Sequence, residues 1–585
     1  MEDVAPSTTR RGLLAGSGVA AMSSLAGCFD RLWSQAETPG QDQVSMSIKA
    51  VPADDDPIAA TIASRLRENY SDAGIDASPE PVAKAELYRD VLLEGDYDVF
   101  VARHPGFDDP DALYGLLHSR FIGEQGWQNP FQFTELAADD HLETQREATE
   151  DDRPAELVEL LDYLLQSVPF TAVAHPYRIT GARESFEVPA PPRDALGYLK
   201  LCAHAANGPR DDPLEIGVFG EGLTERLNPL AVDRNRIEGL LDLLYDPLAR
   251  RVDGEYVPWL AESAEWHEGG GLRTRITLRD GLEWHDGEPL DAEDVAFTLE
   301  CIEDTSLGDV DGGIPAPRFR GRQTLVESTD VVDSRTIELY FTNTTRAVAA
   351  RALTIPLLPE HIWADRSELL TERQTVAMTH DNENPIGSGL FAFVDASTDD
   401  EVVLEPFDAH VFRGTSDRPS VLEGFSRFEG IRFQVAPNSG AMRDLLIDGE
   451  IDVTASEIPP GTVEDIRDAS NVSTTMEATD AFYMVGFNSQ HAELGNPNFR
   501  RVCARLIDRQ HIVSEVLEGF ATQAKDTPSL AGIHDDAWEH DDAEFADPDP
   551  DILAFPGTDG SVDTSRSRPL FQDIGYNYDD GQLLK

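Results

Sequence analysis

Strict alternation over residues 44–49 (VSMSIK) predicts a half-buried strand near the start of the chain. Asp56 follows as a helix N-cap with Pro57 at the first helical position. Ile58, Ile62, Leu66 and Tyr70 then share one helix face, which ends before Gly74. A second helical pattern carries Leu87, Val91 and Leu92 up to Gly95, and residues 97–101 (YDVFV) read as a strand. This β-α-α-β order predicts an α/β lobe. An apolar run at 214–219 predicts a further strand.

The most informative local pattern is residues 277–300, TLRDGLEWHDGEPLDAEDVAFTLE. Arg279-Asp280-Gly281 and His285-Asp286-Gly287 are turn triplets, in which glycine accepts the positive φ of a tight turn. Asp291 fits a helix N-cap, Asp294 an acidic capping-box partner, and Leu290 and Val295 a hydrophobic staple. Val295, Leu299 and Ile302 would share the buried face of that helix. His285 therefore reads as a structural turn residue.

Charge changes the picture. The chain carries 47 basic and 109 acidic residues, a net charge of -62, and the acids are spread throughout. Lysine is confined to Lys49, Lys84, Lys200, Lys525 and Lys585, so arginine supplies most of the positive charge. This composition suits solubility at molar salt, where the Debye length is about 3 Å, and points to a halophilic source. A globally acidic surface repels phosphates and argues against nucleic acid as a partner. The apolar content of 40% supports one or two sizeable cores. No apolar run reaches the 18 residues that suggest a spanning helix.

Thr9-Arg10-Arg11-Gly12-Leu13-Leu14 is similar to a twin-arginine export signal, and Leu25-Ala26-Gly27-Cys28 to a lipobox. Residues 1–27 are thus expected to be a signal, Cys28 the lipidation site and 28–43 a polar tether, giving attachment to a membrane without spanning it. Cys202, Cys301 and Cys503 are widely spaced and read as small buried hydrophobes.

The 277–300 motif resembles that of the extracytoplasmic solute-binding proteins of family 5, receptors of ABC importers for peptides and nickel. Other segments share the resemblance: LLYDPL at 243–248, IPLLPEHIW at 355–363, NPIGSG at 384–389, LIDGEIDV at 446–453 and MVGFN at 484–488. Gly95-Asp96-Tyr97-Asp98, Asp109-Pro110-Asp111 and Asn129-Pro130-Phe131, however, resemble the family's C-terminal lobe, yet they stand first. Residues 569–576 resemble the helix that precedes that lobe's strand, and the chain stops where the strand is due. The resemblance therefore implies an α/β, two-lobe fold of the periplasmic-binding-protein type (type II, with an extra subdomain), circularly permuted. A separate N-terminal domain, or a fragment of a duplicated lobe, would leave one lobe incomplete. The expected map is 44–168 as the first part of lobe II, 169–487 as lobe I with the extra subdomain, and 488–585 as the second part of lobe II. Segments near 168 and 488 would form the hinge.

The implied function is a lipid-anchored, extracytoplasmic receptor that closes two lobes around a peptide-like or other small polar solute. Its partners would be ABC permease subunits and, through Cys28, the outer face of the cell membrane; a monomer is expected. In peptide-binding members an aspartate after the GDYD-type strand holds the α-amino group. Alignment on Asp109-Pro110 puts Arg103 where tryptophan is usual and Gly106 where that aspartate belongs, which puts ordinary peptide binding in doubt. Arg103, Phe107, Asp108, Asp109 and Tyr483 are the candidate solute contacts. No nucleophile–base motif, phosphate loop or dinucleotide fingerprint occurs, so no catalytic residue, metal site or cofactor is assigned. Two other readings stand beside this one: a solute sensor or chaperone-like binding module without transport, and a secreted hydrolase.

Overall fold

The computed structural model describes residues 42–585 apart from 190, 205, 209–211, 233–236, 416–417, 426–427 and 534–552. The expected signal, Cys28 and nearly all of the tether lie outside the described residues. So does most of the acidic stretch 533–566.

Among the described residues, twelve strands form one mixed sheet that runs through both lobes. They are β1 (Ser45–Ala50), β2 (Asp76–Pro81), β3 (Val99–His104), β4 (Phe170–Arg183), β5 (Leu214–Phe219), β6 (Phe391–Ser397), β7 (Glu401–Pro406), β8 (Ile431–Ala436), β9 (Val453–Thr454), β10 (Val472–Ala478), β11 (Phe482–Phe487) and β12 (Ala521–Gln523). The order is β6-β7-β8-β5-β9-β4-β11-β3-β1-β2, with β10 and β12 also paired to β4. The helices that matter below are α1 (Pro57–Asp72), α2 (Ala112–Leu117), α3 (Ala292–Glu303) and α4 (Arg320–Gln323).

Strand β4 joins the lobes. Its first half pairs antiparallel with β11 at Phe170–Ala174, and its second half pairs with β10 from Tyr177 to Arg183. Phe170, Ala172, Val173 and Ala174 belong to one apolar core, whereas Ala182 belongs to another and Ile179 to a satellite cluster. The second connection runs from β10 through Thr479, Asp480 and Ala481 to β11, whose residues lie in the first core. The two cores therefore meet between 174 and 179 and between 472 and 482.

One of those cores is assembled from both chain ends, with residues 44–174 and 482–583. The ends meet directly: Val44 N donates to Leu583 O at 2.8 Å, Leu583 N to Gly74 O at 2.8 Å, and Lys585 N to Asp42 O at 2.9 Å.

Local expectations hold where short-range chemistry decides. The Asp56 carboxylate accepts from Ile58 N (3.0 Å) and Ala59 N (2.9 Å) at the start of α1, and Ile62, Leu66 and Tyr70 are fully buried. Asp291 and Asp294 form a reciprocal capping box on α3, with Leu290 and Val295 buried together. His285 is structural: its Nδ1 accepts from Gly387 N (3.2 Å), its Nε2 donates to Gly389 O (3.1 Å), and burial lowers its pKa to about 4.

Asp294 does more than cap. Its carboxylate accepts from Asp291 N (3.0 Å), Glu360 N (3.0 Å) and Trp284 Nε1 (3.2 Å), tying the turn, the helix and a distant segment together. Asp294→Ala would leave these donors without their acceptor. A loss of about 3 kcal/mol in urea denaturation is expected, with an unchanged m-value.

Candidate functional site

A cavity of about 600 Å³ lies between the lobes, beside the second connection. One wall comes from the chain-end lobe: Asp55 and Asp56 at the start of α1, Lys84 and Tyr88, Arg103 from β3, and Trp127. The facing wall includes Arg178 from β4, Arg193, Glu238, Asp242 and Arg318. Thr479, Asp480 and Ala481 of the connecting segment form its back.

The lining is rich in charge and balanced. Lys84, Arg103, Arg178, Arg193 and Arg318 are five of 21 described lining residues, against 47 bases among 585 overall. Five carboxylates face them, so the cleft escapes the chain's strong negative bias. A site of this kind suits a solute with polar groups of both signs over one that is purely cationic.

Arg103 is the centre of this network. Its register partner across β3 and β11 is Tyr483, and its guanidinium donates to Glu457 of the other lobe. Burial works against the Arg103 charge, but Glu457, Tyr483 and Glu238 outweigh it and raise its pKa above the ordinary value. Arg178 donates to Glu238 and, at 3.2 Å, to Pro192 O. Burial likewise opposes ionisation of Glu238, yet Arg178 and Arg103 hold its carboxyl below the usual range. Asp56 is the exception. Burial pushes its pKa up despite the Ala59 amide and Arg103. Tyr483 Oη donates to it at 3.3 Å.

Aromatic side chains supply the apolar part. Tyr88 and Trp127 meet edge-on at 6.1 Å, and Lys84 Nζ lies 5.7 Å above the Tyr88 ring. Behind them His104 stacks on Phe482 at 4.9 Å and contacts Phe107 at 4.8 Å. Burial lowers the His104 pKa to about 3, so it stays neutral.

Of the five expected contacts, Arg103 lines the cavity and Tyr483 sits directly beside it. Phe107 is buried in the aromatic cluster. Asp108 and Asp109 turn to arginines: Asp108 to Arg322 (2.8 Å) and Arg351 (2.9 Å), and Asp109 to Arg153 (2.6 Å). Neither is among the lining residues.

Gly106 explains its own lack of a side chain. Its φ is +98°, and a Cβ there would stand 2.4 Å from the Asp480 carbonyl. The space at 106 is taken by the connecting segment, and Asp480 itself lines the cleft. Sequence reading saw Asp56 only as a helix cap and passed over Trp127, Arg178 and Asp480. The rarity of lysine was the one available signal for Lys84.

Residues 255–583 match the family described as bacterial extracellular solute-binding proteins, family 5 Middle. The chain belongs to this family. Among family 5 relatives, the oligopeptide-binding protein AppA of Bacillus subtilis is 22% identical over 268 residues, covering 44% of this chain and 43% of AppA. The periplasmic alpha-galactoside-binding protein of Rhizobium meliloti is 27% identical over 280 residues, covering 44% and 37%. The nickel-binding periplasmic protein of Escherichia coli is 39% identical over 64 residues, covering 11% and 12%. The chain spans about half the length of the curated relatives it matches first. The solved structure of Bacillus subtilis AppA with a nonapeptide gives a TM-score of 0.47 at 19% identity, covering 65% of this chain and 67% of that one.

Two outcomes test this geometry. Gly106→Asp would force a side chain into the Asp480 backbone at positive φ, and thermal unfolding should show a loss of about 2–4 kcal/mol. Burial raises and Arg153 and Arg351 lower the Asp109 pKa, and the arginines win, bringing it to about 2 against about 3.9 unfolded. Its stabilisation is present above pH 4 and is lost as pH falls through 2. Asp109→Asn should therefore cost about 2 kcal/mol at pH 6 and nearly nothing at pH 2, read as the urea midpoint.

Proposed function

We propose that this family 5 chain is a solute receptor of an ABC importer that closes its two lobes on a small polar solute. The observation that carries the reading is the cavity of about 600 Å³, walled by both lobes and backed by the segment that connects them. A cleft at a two-segment hinge can seal a solute from water and release it on opening. Nothing in that action requires bond chemistry, and the protein acts as a receptor, not an enzyme.

The solute is peptide-like or another small polar molecule. Arg103 and Arg178 present guanidiniums toward it, Asp56 and Asp480 carboxylates, and Trp127 and Tyr88 apolar ring surface. Lipid attachment at Cys28 would hold the receptor, as a monomer, on the outer face of the membrane, where permease subunits take the cargo. The domain order follows as a circular permutation: lobe II from both chain ends, lobe I from the middle. The shared core of 44–174 with 482–583 and the Val44–Leu583 hydrogen bond support it.

A thermal-shift screen in molar KCl with dipeptides, oligopeptides, oligosaccharides and nickel–histidine chelates tests the reading. A true solute at 100 times its Kd should add about 2.7 kcal/mol of stability. Arg103→Ala should abolish most of that shift relative to its own solute-free baseline. A full set of solutes without effect, or a shift that survives Arg103→Ala unchanged, would count against it.

A further inference from the structure

A second meeting of the lobes adjoins the cleft and is built from charges that do not line it. The loop that follows β3 carries Asp108, Asp109 and Asp111. The Asp108 carboxylate takes Arg322 at 2.8 Å and Arg351 at 2.9 Å, and its backbone oxygen accepts from Arg251. Asp111 has no exposed side-chain surface; it binds Arg351 of the opposite lobe and Arg146 of its own (Nη2 to Oδ2, 3.0 Å). Arg146 in turn donates to Gly321 O (3.1 Å) and Thr324 Oγ1 (3.3 Å), and Thr345 N donates to Arg146 O at 3.1 Å, all across the lobe boundary.

The backbones close up beside these charges. Helix α2 meets α4 through Gly115 and Gly321, where a Cβ on either would reach the other's Cα at 3.3 Å. At Gly126 a Cβ would come within 2.0 Å of Pro317 O, and Gln128 Nε2 donates to Ala316 O at 3.0 Å. The Asp111–Arg351 pair, with 0% and 2% of its side chains exposed, is sheltered from screening by salt, whereas Asp108 keeps 39% of its side chain exposed.

We propose that this seam is an ionic latch, centred on Asp108, Asp111 and Arg351, that holds the lobes closed in the absence of solute. Each pair joins side chains of the two lobes and needs no solute to form. Breaking it leaves Asp111 paired with Arg146 of its own lobe and separates the buried Arg351 from both carboxylates. The solute then enters an opened minor state, and its apparent affinity is set partly by the latch. That consequence rests on the cleft being the solute site; closure itself does not, and is measured with no solute present.

Hydrogen exchange by mass spectrometry on the full chain without solute tests it. The Thr345 amide reports lobe contact because its acceptor, Arg146 O, belongs to the other lobe. It should exchange slowly in the wild type. Asp108→Asn should accelerate it at least about tenfold while the β11 amides keep their protection. Gly321→Leu, a wedge that removes no charge, should do the same. Fast exchange at Thr345 in the wild type, or unchanged exchange in Asp108→Asn, would overturn the latch.

Discussion

One strand belongs to two cores. The fourteen residues of β4 pair with β11 in one lobe and with β10 in the other, and both lobes are hung from that ladder. A strand interior cannot slip without moving every side chain to the other face, so its register fixes where each lobe stands. The return segment through Asp480 is short and parallel in its effect. Together they leave freedom mainly for rotation about the crossing, and they place the cleft immediately beside it.

Charge works on this frame at two sites with different logic. In the cleft, Arg103 and Arg178 are held by Glu457 and Glu238, leaving a balanced lining in an acidic chain. In the seam, Asp108 and Asp111 consume arginines of the opposite lobe and leave nothing for a solute. The first keeps charges of both signs along the cleft wall, and the second ties the lobes together. Gly106 stands between them, pressed on Asp480, so the loop that leaves β3 passes from cleft wall to seam within a few residues.

Much of the fold was legible because it rests on local chemistry. The Asp56 cap, the Asp291–Asp294 box and the turn role of His285 depend on neighbours a few residues apart, and each is found as the pattern predicts. The apolar run 168–176 does not by itself say which core it enters. The seam was hidden for a different reason. Asp108 finds Arg351 across 243 positions, and in an acidic chain no spacing rule marks which aspartate will be buried. Alignment could report a missing side chain at 106, but only the folded backbone shows that Asp480 fills the space.

Family membership and a two-lobed sheet leave one matter on which the whole account turns: where the solute sits. The direct measurement is a crystal structure of the chain with whichever solute class stabilises it. The account predicts solute density between the lobes, within hydrogen-bond reach of Arg103 on one wall and of the Arg178–Glu238 side on the other, packed on Trp127. Density on the outer surface of a single lobe, with the cleft empty, would contradict it.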